Sequence, residues 1–116
     1  MSACEFDLTR FLDSYADSPE ILHEILTLYA TEAPERIEAL EEALGSRDCA
    51  KLSRAAHSLA NTGGTLHASA VVDLARATEA AARAADTDAC ARIVPQLIVA
   101  VRAVIDAVES YRSAEG

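Results

Sequence analysis

The chain has no tryptophan, two phenylalanines, three prolines and four glycines among its 116 residues. Helix breakers are scarce while alanine, the best helix former, occurs 25 times, so packed helices are favoured over sheets. Positive charge is also in short supply, with 10 Lys and Arg against 19 Asp and Glu for a net charge of -9. The first fifty residues carry 12 acids and 3 bases, and the rest carry 7 of each. Such a chain lacks the basic footprint that nucleic acid or an anionic membrane requires. Cys4, Cys49 and Cys90 are odd in number and more than forty residues apart, which suggests neither a disulfide framework nor a CxxC site and fits a reducing compartment. No apolar run approaches the roughly 18 residues of a membrane span, and the N-terminal MSACEFDLTR has no signal-peptide pattern. A cytoplasmic protein is expected.

What is present is helical periodicity. Asp7 is placed to cap a short helix ending before Ser18, with Phe6 and Phe11 as a hydrophobic staple. Ser18 and Pro19 open a long second helix whose apolar stripe reads Ile21, Leu22, Ile25, Leu28, Tyr29, Ala33, Ile37, Leu40 and Leu44. Pro34 projects away from that stripe, so a gentle kink is expected there, and Gly45 is expected to stop the helix. Asp48 caps a third helix with core positions Leu52, Ala55, Ala56, Leu59, Gly63 and Leu66. A fourth, about 70 to 85, turns Val71, Leu74, Ala75, Thr78 and Ala82 inward. The Asp86-Thr87-Asp88 turn caps a fifth, carrying Val94, Leu97, Ile98, Val101, Val104, Ile105 and Val108, with Pro95 outside. Short loops between amphipathic helices imply antiparallel neighbours. The expected fold is all-α: an antiparallel up-down four-helix bundle with a short additional N-terminal helix.

At about 100° per residue, His57 lies roughly 160° from the centre of the third helix's apolar stripe, on a water-facing patch with Ser53, Arg54, Ala60, Asn61 and Gly64. The stretch Ala56-His57-Ser58-Leu59-Ala60-Asn61-Thr62-Gly63-Gly64-Thr65-Leu66 resembles the signature of histidine-containing phosphotransfer (HPt) domains, A-H-x-L-K-G followed by small residues and an aliphatic. Ile25-Leu26-x-Leu28-Tyr29 upstream and Val71-Val72-Asp73-Leu74-x-x-x-Thr78-Glu79-Ala80 downstream resemble that family's second and fourth helices. The likeness extends over about residues 6 to 112 of a single domain spanning 1–116.

The resemblance implies phosphorelay signalling. His57 would be the phosphoacceptor, taking a phosphoryl group from a receiver-domain aspartate and passing it to another response regulator. Response-regulator receiver domains, and a hybrid histidine kinase, are the implied partners. No ATP site is expected, since no glycine-rich phosphate loop occurs. No cofactor or metal is expected in the chain itself, because the receiver brings the carboxylate cluster and the magnesium ion. Three positions depart from the pattern: Ala60 where the family has lysine, and Asn61 and His67 where it has glycine. Arg54, one turn before His57, could supply a replacement cation. The departures keep open an alternative, a degenerate bundle that binds a receiver or kinase as an adaptor without carrying phosphate. An ordinary surface histidine is the plain alternative for His57, and a packing role is the plain one for Gly63 and Gly64.

The residue type suits the chemistry without the family. A neutral imidazole has a ring nitrogen lone pair near pH 7, and phosphoryl transfer needs mainly in-line positioning and charge neutralisation.

Overall fold

The computed structural model describes residues 6–115. Cys4 and the first five residues of the N-terminal segment read for a signal lie outside them. Five helices follow one another: α1 (Thr9–Ser14), α2 (Pro19–Ser46), α3 (Cys49–Thr65), α4 (Ser69–Arg83) and α5 (Thr87–Glu115). There is no strand among the described residues.

Local chemistry sets most boundaries. Asp7 accepts hydrogen bonds from the Thr9 backbone N–H and hydroxyl, opening α1 one residue ahead of the formal cap Leu8. Pro19 begins α2, where its missing N–H costs nothing, although the Ser18 side chain makes no capping bond. Asp48 Oδ1 accepts from Lys51 N at 3.0 Å to open α3, and Asp86 Oδ1 accepts from Ala89 N at 3.0 Å to open α5. Pro34 sits exposed inside α2, which runs unbroken through it. Gly45 does not stop α2. The helix continues to Ser46 and turns at Arg47, whose φ of 56° is left-handed, with Asp48 N closing on Ala43 O at 2.9 Å. The next two turns repeat the device with His67 (φ 59°) and Ala85 (φ 56°), and no glycine in the described chain has positive φ.

The four long helices form a ring in which α2 packs on α3 and α5, and α4 packs on α3 and α5. Their shared core holds Leu26, Leu40, Leu52, Leu59, Leu66, Val71, Leu97, Val101, Val104 and Val108, each exposed by 1% or less. The inward positions expected for α3 are all buried, and those of α4 and α5 are buried or half-buried. In α2 the stripe is rotated. Leu22, Leu26, Tyr29, Ala33, Ile37, Leu40 and Ala43 face inward, whereas Ile21 and Leu28 are 50% and 51% exposed. Both lie about 80–100° round the helix from Tyr29, on a flank that the described neighbours leave half open. α1 closes one end of the bundle, with Phe11 fully buried and Phe6 packed against the core.

The α3–α4 contact is unusually intimate. A Cβ built on Gly63 would lie 2.9 Å from Val71 Cγ1, closer than carbon atoms tolerate. Gly63 is therefore a packing requirement. Gly64 has no such neighbour, the nearest atom being Val72 Cγ2 at 4.0 Å, and it stays on the exposed face.

Candidate functional site

His57 projects from the middle of α3 with 60% of its side chain exposed, as the helical phase requires once Ala56 and Leu59 turn inward. Its ring has a partner on the next helix. Nδ1 lies 3.0 Å from Oε2 of Glu79 on α4. A carboxylate accepts, so in the neutral ring Nδ1 carries the proton and Nε2 keeps the lone pair. The same Glu79 oxygen accepts from Arg83 Nη2 at 2.9 Å, an i,i+4 pair one turn along α4. Glu79 is the most enclosed of the three, with 14% of its side chain exposed, so its carboxylate is held from two sides.

This unit, an exposed imidazole oriented by a half-buried carboxylate that is itself held by an arginine, suits nucleophilic attack by Nε2 on an electrophile arriving from solvent. A family model described as Hpt domain matches residues 24–111, most of the chain. The chain belongs to the Hpt domain family. No curated protein and no solved structure matches it. Hpt domains are helical bundles of two-component phosphotransfer that engage receiver domains and kinases. In this Hpt domain the short α1 precedes the matched residues.

The expected patch is only partly assembled around His57. Arg54, Asn61 and Gly64 are exposed and Ser53 is half-buried, all on the His57 side of α3. Ala60 is not part of a water-facing patch: it is 5% exposed and joins the core. It lies on the flank turned toward α4, and the Gly63–Val71 approach brings α4 near enough to cover a methyl group. The site where the family carries lysine is thus covered rather than open. Arg54 sits on the opposite flank, lining a groove toward α2 with Arg36 and Ser58.

Glu79 and Arg83 went unnoticed as site residues in the sequence, because both belong to another helix. The available signal was the i,i+4 acid–base pair directly after the inward Thr78, at the edge of α4 that meets α3. The other histidines stand apart. His67 Nε2 lies 3.2 Å from Ser14 Oγ at the α1 end, and the His23 ring faces Tyr111 across α2 and α5. Among the described residues, no three His, Cys, Asp or Glu side chains gather as a metal site would require. Among them, too, no helix is long and apolar enough to cross a membrane.

Proposed function

We propose that His57 is the phosphoacceptor of a cytoplasmic phosphorelay intermediate. Its Nε2 lone pair attacks the phosphorus of a receiver's aspartyl phosphate. The phosphorus–oxygen bond breaks, returning a carboxylate to the receiver, and a phosphorus–nitrogen bond forms. The proton on Nδ1 stays where it is, so the ring gains positive charge that Glu79 faces directly. In the onward step a carboxylate oxygen of a second receiver attacks phosphorus, and the electron pair of the broken bond returns to Nε2. The magnesium ion belongs to the receiver, and the chain needs no cofactor of its own. Arg54 supports the phosphoryl oxygens from one flank, and Ser53, Asn61 and Gly64 form the small polar floor on which the receiver rests.

The observation that carries this proposal is the 3.0 Å contact between His57 Nδ1 and Glu79 on an otherwise open helix face, which leaves Nε2 as the accessible nucleophile. Incubation with a phosphorylated receiver should give alkali-stable, acid-labile label on His57. The variant His57→Gln should lose it while melting as the wild type does, since the side chain is largely exposed. Label retained in that variant would overturn the assignment. Binding of the receiver with no label on the wild type would favour the adaptor role instead.

A further inference from the structure

Cys49 and Cys90 take no part in the chemistry proposed for His57, yet the fold brings both to the same end of the bundle. Both are free thiols. Cys49 is the first residue of α3 and Cys90 lies one turn into α5, and both helices start from the end at which α2 and α4 reverse through Arg47 and Ala85. Cys90 belongs to the core and is 0% exposed, and the half-buried Cys49 packs against that core. The side chains at this end are small: Ala43 near the end of α2, Ala82 near the end of α4 and Ala89 beside Cys90 are all buried. A close-packed interior filled by methyl groups draws its helices together, which shortens the diagonal from α3 to α5. Burial pushes the Cys90 thiol above its usual range, and the neighbouring Cys49 and then Asp86 raise it further, so the two sulfurs sense each other's charge.

We infer that Cys49 and Cys90 are an oxidation site, joined as a reversible disulfide when a hydroperoxide reaches this end of the bundle. Cys49 reacts first, being the thiol open to solvent. With hydrogen peroxide its sulfur takes one oxygen, the oxygen–oxygen bond breaks, and the second oxygen leaves as water with the thiol proton, giving a sulfenic acid. The Cys90 sulfur then displaces the hydroxyl: a sulfur–sulfur bond forms, the sulfur–oxygen bond breaks, and the hydroxyl leaves as water with the Cys90 proton. The two thiols together lose two electrons, which the peroxide gains. A buried, protonated thiol is a poor first target but a suitable second one, because Cys49 carries the leaving group to it. In a reducing compartment such a bond is transient, as the disulfides of intracellular proteins usually are. It braces α3, the helix that carries His57, to α5, on which α3 has no extensive packing of its own.

The test treats the full chain with hydrogen peroxide at neutral pH. Oxidised wild type should be lighter than its reduced form by two hydrogens, stay monomeric and return to the reduced mass with dithiothreitol, and peptide mapping should join Cys49 to Cys90. Cys4→Ser should cross-link as the wild type does, whereas Cys90→Ala should stop at a Cys49 sulfenic acid that dimedone traps. The cross-link closes a loop of about forty residues, so the oxidised protein should melt roughly 10 °C above the reduced one. Both thiols still open to iodoacetamide after peroxide treatment and denaturation would overturn the inference, as would a bond to Cys4, a dimer bridged through Cys49, or a bridge that forms only in denaturant. These readings are made on the wild type, so they decide the matter even if Cys90→Ala fails to fold. None of them depends on whether His57 carries phosphate.

Discussion

Gly63→Ala sets two effects of opposite sign against each other. Alanine in place of glycine within a helix is worth about 1 kcal/mol in favour of folding. Against it, the new Cβ would lie 2.9 Å from Val71 Cγ1 and 3.3 Å from Val71 Cβ. Val71 cannot swing aside, because it is 1% exposed and a β-branched side chain in a helix has essentially one rotamer. The helices must separate instead, and overpacking of this kind costs about 1–3 kcal/mol. The net expectation is a loss of about 1 kcal/mol, which lowers the melting temperature by about 4 °C. Gly45→Ala is the internal control. It is exposed, has nothing within 4 Å of the added carbon, and should gain stability, by up to about 1 kcal/mol. Chemical denaturation of the two variants side by side decides the matter: if Gly63→Ala stabilises as much as Gly45→Ala does, α3 and α4 do not approach as closely as described, and the reach from His57 to Glu79 falls with that contact.

Leu59→Ala, at a side chain 1% exposed, should cost about 2–5 kcal/mol, and an unchanged denaturation midpoint would mean that the phase of α3, and with it the exposure of His57, is wrong. Glu79→Ala should release the imidazole, so that ¹⁵N spectra lose the dominance of the Nδ1–H tautomer and transfer slows by about tenfold, with Glu79→Gln recovering part of both; an unaltered tautomer would remove Glu79 from the site. Arg54→Ala should slow transfer by about three- to tenfold, half the usual worth of a charge-assisted bond once water is allowed for. Ala60→Lys in that background should restore only part of the loss, because its stem must first cross the covered α4 flank before the ammonium reaches water, and full restoration would show that flank to be open.

How much was legible in the sequence differs from helix to helix. In α3 the inward positions alternate between large aliphatics and residues no bigger than alanine at strict helical spacing, so one phase fits and His57 is forced outward. In α2 the apolar residues spread over more of the circumference than the core can cover. Periodicity admitted Ile21 and Leu28 and passed over Leu26, and only the arrangement of α1, α3 and α5 decides which sector is sealed. Ala60 posed a similar difficulty. It lies about 60° from His57, and whether that flank meets water or α4 depends on the direction in which the bundle turns, which one sequence does not record. Arg54 lies about the same angle to the other side and remained exposed. The glutamate that orients the imidazole was beyond reach for another reason: its partnership with His57 spans 22 positions and two helices, whereas its bond to Arg83 is local and could be read.

The three left-handed turns bear on how this molecule could be remodelled. Arg47, His67 and Ala85 each hold a conformation that costs an ordinary residue roughly 1–2 kcal/mol and glycine almost nothing, while the glycines that are described lie elsewhere. Each reversal of the chain is therefore a spring kept bent by the helices on either side. Replacing Arg47 or Ala85 by glycine would relax it without touching the face that carries His57, so the bundle holds an unused reserve of stability at its ends. His67 is the exception, because its ring also reaches Ser14 and ties down α1. Thermal hardening of this fold can thus begin at two hinges remote from its chemistry, and the third should be left alone.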